Sequence, residues 1–240
     1  KMRETVDGID IDKLTSYVSA DEKVIIKIIS EQQKQTISEI LENFLNYLQN
    51  NPNSLLTRIY GLYTLDQGRL GKTNILLIRN PCHFSSQHLE KKYEMNGFST
   101  EKVLNFNNKD TIDLKKVTLK EKDFELYERK IQTTPGLTAT IYEQIIKDID
   151  FLEKHEIVGY RLAIFFVNKE KLDQANQDRN IPVHNELKIF KKENESAVLY
   201  CIEIIDYFLS SRRTIGNNMA VNHVDYSRTF RSFCKKILGR

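Results

Sequence analysis

Two residues could carry ionic chemistry because of where they fall in the chain. Lys27 lies inside the β-branched run VIIKII (Val24–Ile29), and Asp206 closes the apolar run AVLYCIEIID (Ala197–Asp206). A buried ammonium needs an anionic partner, since desolvating it alone is costly. A carboxylate at the end of a buried strand is placed to reach a metal or a cleft. Taken singly, each is an ordinary strand-edge residue with its head in water. The three cysteines, Cys82, Cys201 and Cys234, lie far apart, without CxxC spacing or paired histidines. That argues against a zinc cluster or disulfide framework and suits a reducing compartment.

The elements that must position these residues follow from periodicity. Alternation and β-branching give a strand over Glu22–Ile29, and Ser30 with Gln33 forms a capping box that opens a helix. Ile37, Ile40, Leu41, Phe44, Leu45 and Leu48 mark its apolar stripe, and Asn51–Pro52–Asn53 ends it. Arg58–Leu65 and Asn74–Asn80 read as a hairpin around Gly68 and Gly71, and Asn80–Pro81 as a hinge. Residues 85–117 are polar, and a polar strand-like run opens at Thr118. A turn at Pro135–Gly136 precedes a helix that buries Ile141, Ile145, Ile149 and Leu152. Tyr160–Val167 is apolar throughout, so it is a central strand covered on both faces. Residues 168–196 form a long polar excursion. The last helix runs from Val224 to Leu238, burying Tyr226, Phe230, Phe233 and Ile237. The order describes one α+β domain in two lobes, antiparallel sheets with packed helices. The expected division is 1–84 for the N-lobe, 85–117 for a connecting segment and 118–240 for the C-lobe.

With 240 residues and 40% hydrophobic content, the chain is long enough for such a core. The 36 basic residues nearly balance the 33 acidic ones and are interspersed with them, which excludes a nucleic-acid partner. Pairs such as Lys91–Lys92 and Arg212–Arg213 read as solvated surface, with a lipid-facing patch the minority reading. No apolar run reaches the roughly 18–20 residues that span a bilayer. The expected location is intracellular, soluble or peripheral on a membrane. Because the chain starts at Lys1, an organelle stays open.

Several stretches, in order, resemble the phosphatidylinositol phosphate kinases. VIIKII is similar to an IIKTI-like strand of that family, NPNSLLTRIYGLYTL (Asn51–Leu65) to NP-x-(S/T)-LLPKFYGLY, and KKYEMNGFS (Lys91–Ser99) to RKYDLKGS. TLKEKDF (Thr118–Phe124) matches TLK-x-x-DF, EIIDYF (Glu203–Phe208) the IID motif, and MAVNHVDYSRTFRSF (Met219–Phe233) the closing motif. The resemblance spans roughly Tyr17 to Ile237 and implies the two-lobed lipid-kinase fold.

It also implies roles for single positions. Lys27 matches the lysine that contacts nucleotide phosphate, and Asp206 the aspartate that holds magnesium. Gln33 stands where the acidic partner of that lysine is expected, and Asn96 where a second phosphate-binding lysine is expected. Gly159 replaces the aspartate of MDYSLL, which serves the phosphoryl-transfer centre, and Arg161 replaces the adjacent serine. A glycine-rich phosphate loop should precede Lys27, because only glycine lets backbone N–H groups approach phosphates closely. Asp7–Val18 instead carries one glycine and three aspartates.

Framework positions are thus kept while chemical ones are altered, and no catalytic residue is intact. The expectation is a pseudokinase, a structural or interaction subunit of a larger assembly with protein partners. No cofactor is expected, with ATP and magnesium only if activity survives. Lys27 is then a vestigial phosphate contact and Asp206 a vestigial magnesium position, the two paired with each other or Lys27 with another carboxylate. One alternative is a divergent active phosphatidylinositol phosphate kinase, in which another acid such as Asp148 or Asp150 replaces Gly159. Another is a phosphoinositide-binding module without catalysis, keeping contact with the membrane.

Overall fold

A computed structural model describes residues 3–5, 16–81, 88–99, 103–104, 112–171, 189–191, 198–212 and 222–239. The aspartate-rich stretch before Ser16 and most of 168–196 lie outside the described residues, as do Cys82 and Arg213.

The first sheet joins β1 (Arg3–Thr5), β2 (Ser16–Val18), β3 (Val24–Ile29), β4 (Ile59–Asp66) and β5 (Lys72–Arg79) in the order β1-β2-β3-β5-β4, all antiparallel. Helix α1 (Glu31–Asn50) packs beside it. It opens with the expected capping box, in which Ser30 Oγ accepts from the Gln33 amide and Gln33 Oε1 accepts from the Ser30 amide. Ile37, Ile40 and Phe44 are buried, but Leu45 is 50% exposed. The contact stripe is narrow, and Leu45 lies about 100° round the helix from Phe44; Tyr47 packs against the core instead.

The second sheet has the order β10-β11-β9-β6-β7, with β6 (Leu89–Met95), β7 (Thr118–Leu119), β9 (Arg161–Asn168), β10 (Ile189–Lys191) and β11 (Val198–Ile205). Its pairs are antiparallel except β6 with β7. Strand β9 is central, as its composition requires. Leu162, Ile164 and Phe166 face the main core, while Ala163, Phe165 and Val167 join a second cluster with Leu89, Cys201 and Ile205. Cys201 and Cys234 are both buried thiols, and Cys201 Sγ donates to Pro81 O at 3.8 Å. A two-stranded piece, β8 (Ile157–Val158) with β12 (Leu209–Ser210), completes the strands described.

Two local expectations are corrected. Leu89–Met95, assigned by sequence to the connecting segment, is an inner strand of the second sheet: Leu89, Tyr93 and Met95 are buried despite the charges between them. The polar run after Thr118 is strand for two residues only and then helix α2 (Glu121–Tyr127). Asp123 drives that switch, accepting from the Lys120 amide at 3.0 Å as a helix-start carboxylate does. It also accepts from the Val103 and Leu104 amides, holding the neighbouring loop to the helix.

Helix α3 (Pro135–Lys154) starts with proline at its first position, where no N–H is needed, and buries Ile141, Ile145, Ile149 and Leu152. Helix α4 (His223–Ile237) packs on α3 and buries Tyr226, Phe230, Cys234 and Ile237, with Phe233 half-buried. Among the described residues no helix is long and apolar enough to cross a membrane.

Candidate functional site

The two sheets meet where β3 and the end of β11 face one another. Lys27 projects from β3, and its Nζ donates to Asp206 Oδ1 at 2.6 Å. Of the two partners open to Lys27 on sequence grounds, the geometry selects Asp206. The ammonium also lies 5.7 Å from the ring centroid of Phe208. Asp206 follows the last residue of β11 and turns into the left-handed region, with φ of 60°. A non-glycine residue held there marks a turn fixed by its surroundings. Those surroundings are visible: Phe208 N donates to Asp206 O, and the Tyr207 hydroxyl donates to Thr57 O.

The second oxygen of Asp206 is taken by Arg161, the first residue of β9. Antiparallel pairing sets Arg161 opposite Ile205, one residue from Asp206, and its Nη2 donates to Asp206 Oδ2. The other arm, Nη1, reaches Glu94 Oε2 of β6 at 3.0 Å. One guanidinium therefore bridges two carboxylates from different strands, a geometry its planar fork suits. Burial by itself would raise the Asp206 carboxyl; the Lys27 and Arg161 charges and hydrogen bonds outweigh that and hold it at about 2.

Magnesium prefers octahedral oxygen ligands and is bound through carboxylates and phosphates. The Asp206 carboxylate has both oxygens committed to cations. Gly159, at the position expected to carry an acid, has no side chain to add a ligand. Among the described residues no cluster of three or more His, Cys, Asp or Glu side chains could hold a metal ion. A magnesium ion at Asp206 would therefore have to displace Lys27 or Arg161 from one of its oxygens. Gly159 is itself left-handed at φ of 79°, and a Cβ built there would lie 3.1 Å from Leu209 Cδ1.

The other sequence candidates are engaged elsewhere. Gln33 is occupied by the helix cap rather than by Lys27. Asn96 shapes the turn after β6: its Oδ1 accepts from the Phe98 and Ser99 amides, and its own amide donates to Glu121 Oε1 at 2.6 Å. Gly97 in that turn has φ of 81°, and a Cβ would meet Phe233 at 2.8 Å, so the turn presses directly on α4. Asp148 is fully buried and serves as an anchor, accepting from Tyr47 Oη, the Leu55 amide and Gln144 Nε2. Asp150 pairs with Arg231 on the surface. Arg212 pairs with Glu156.

Sequence reasoning missed the pairing of Arg161 and a second ion pair, Arg79 with Glu203, which is almost wholly buried. Glu203 is a lone charge in an apolar run, so the argument that singled out Lys27 applies to it equally. Arg161 needed the strand register, which periodicity alone does not provide.

A strand lysine from one sheet meets a strand-end aspartate of the other in an α+β domain, an arrangement consistent with the lipid-kinase fold. The model of the family described as Phosphatidylinositol-4-phosphate 5-Kinase matches residues 13–236, and the chain belongs to that family. It is 29% identical over 148 residues to a probable phosphatidylinositol phosphate kinase of Dictyostelium discoideum, covering 62% of this chain and 20% of that protein. A phosphatidylinositol 4-phosphate 5-kinase of Schizosaccharomyces pombe is 25% identical over 165 residues, 68% of this chain and 21% of its own length. The type-1 alpha phosphatidylinositol 4-phosphate 5-kinase of Homo sapiens is 25% identical over 169 residues, 68% of this chain and 28% of its own length. The matched region thus spans between a fifth and somewhat over a quarter of these relatives.

Proposed function

We propose that this chain is a catalytically impaired phosphatidylinositol phosphate kinase-like protein, a pseudokinase serving as a structural or interaction subunit of a larger assembly. The observation that carries the reading is the state of Asp206. Arg161 supplies a fixed positive charge at the carboxylate that a magnesium ion would need, and Lys27 holds the other oxygen. Phosphoryl transfer depends on positioned metal, phosphate contacts and an oriented nucleophile. A glycine at 159 and an asparagine at 96 leave two of those tasks without a suitable side chain. Lys27 and Asp206 then act as a structural tie between sheets.

The runner-up is a divergent active kinase that transfers the ATP γ-phosphate to a phosphoinositide, with ATP and magnesium as cofactors. The direct Lys27–Asp206 contact favours it, since both groups lie together in the cleft. It requires magnesium to displace Arg161 from Asp206, and an acid other than Asp148 or Asp150, which are committed elsewhere.

Thermal unfolding with ATP, in the presence and absence of magnesium, separates the two. A ligand that binds only the folded state raises its apparent stability. The pseudokinase reading expects no magnesium-dependent rise at millimolar ATP. A rise abolished by Lys27→Ala or Asp206→Asn overturns it, and a phosphoinositide kinase assay then follows.

A further inference from the structure

We infer that the two sheets are locked in one orientation by a polar seam, so that the cleft does not open and close around a ligand. Three ties cross it. The first is backbone. The segment leading into β4 runs beside β11 in an isolated parallel bridge, Leu56 with Ile204. The Thr57 amide donates to Ile204 O at 3.0 Å and the Ile204 amide to Leu55 O at 2.8 Å. This places sheet-type hydrogen bonds between the second sheet and the segment that enters the first, where a hinge would need a slack connection.

The second tie is the pair of Arg79 and Glu203. Arg79 ends β5 and is 5% exposed, while Glu203 of β11 is fully buried. One Glu203 oxygen takes Arg79, and the other accepts from Thr57 Oγ1 at 2.8 Å. The carboxylate thereby clasps the last residue of β5 and the backbone bridge together. Tyr207 closes the same point from below, donating its hydroxyl to Thr57 O. Separating the sheets would strand a charge in an apolar interior, the least favourable fate for a buried ion.

The third tie is the Lys27–Asp206–Arg161–Glu94 chain already described, which links β3 to the end of β11, then to β9 and β6. Glu203 and Asp206 flank Ile204 in sequence, so both charged ties are anchored within two residues of the backbone bridge. Lobe motion in a kinase fold needs contacts that exchange; here the Arg79–Glu203 pair is buried, the Lys27–Asp206–Arg161 group is partly buried, and both centre on one strand. The backbone bridge and the Arg79–Glu203 pair do not depend on whether the cleft has lost catalysis, since neither uses Asp206.

Amide hydrogen exchange on the natural chain tests the lock directly. The Thr57 and Ile204 amides should exchange within about tenfold of the slowest amides of β9 and β11, because the seam opens only with global unfolding. Seam amides that exchange a hundredfold or more faster than those strands, in the unaltered protein, would overturn the lock. The double substitution Arg79→Met with Glu203→Gln removes the buried charges together. Where it folds, the seam amides should lose protection by at least tenfold while the β9 reference is retained. Unchanged seam protection in that folded variant would remove the ion pair from the lock. The nucleotide shift described above reads the catalytic question separately, so the two ideas fail on different measurements.

Discussion

Arg161 and Lys27 divide the carboxylate of Asp206 between them, Lys27 at Oδ1 and Arg161 at Oδ2. The two cations come from different sheets, so a single aspartate joins both lobes. Arg161→Ser should free Asp206 Oδ2, leave Lys27 on Oδ1 and take the guanidinium from Glu94. We expect a magnesium-dependent rise in melting temperature in this variant that the natural protein lacks. Thermal unfolding across a magnesium titration checks it; an unchanged response would mean that Arg161 is not what keeps the ion out.

The pH dependence of stability should carry the signature of Asp206. Its carboxyl is held at about 2, below the ordinary value of 3.8, because Lys27 and Arg161 outweigh the upward push of burial. A depressed acid stabilises the fold above its unfolded value and loses that contribution as pH falls through the folded value. The window is therefore from roughly pH 4 down to about 2, and the contribution is on the order of 2 kcal/mol. Urea unfolding at pH 5 and at pH 2.5 should show a smaller drop for Asp206→Asn than for the natural chain.

Asp148 should be far more sensitive than its neighbour Asp150. Asp148→Ala orphans the buried Leu55 amide and the Tyr47 hydroxyl, and we expect a loss of about 3 kcal/mol. Asp150→Ala removes only a pair with Arg231 at a carboxylate that is 61% exposed, for an effect within about 0.5 kcal/mol. Chemical denaturation of the two variants side by side measures the contrast.

Gly159→Asp should not restore phosphoryl transfer. The backbone there is left-handed, which costs a side chain about 1 kcal/mol, and the new Cβ would crowd Leu209. A modest loss of stability without lipid kinase activity is expected. Activity appearing in the single variant would mean that position 159, and not the engagement of Asp206 by Lys27 and Arg161, is what limits the natural chain.

Much of this architecture was legible from spacing. The Ser30–Gln33 capping box, the buried faces of α3 and α4 and the two-sided burial of β9 follow from periods of 3.6 and 2, which report how a side chain faces its own element. What periodicity cannot report is which elements become neighbours. Leu89–Met95 carries four charges among its seven residues, yet three residues on it are buried by partners far away in sequence. The site shows the same division. Lys27 and Asp206 announce themselves as charges in apolar runs, whereas Arg161 and Glu94 become partners only once β6, β9 and β11 are in register. Gln33 carried two readings, the cap and the place of an acidic partner for Lys27, and its side-chain oxygen is found in the cap.

The fork of Arg161 across Glu94 and Asp206 also constrains how this sequence can drift. Each of those acids is tolerable because the guanidinium lies between them. A neutral residue at 161 leaves Asp206 with Lys27 alone and takes the guanidinium from Glu94, so substitution there costs more while both acids remain. Arg161 is thus tied to its neighbours: the cost of replacing it depends on both acids, and a variant that also neutralises Glu94 should tolerate the change better.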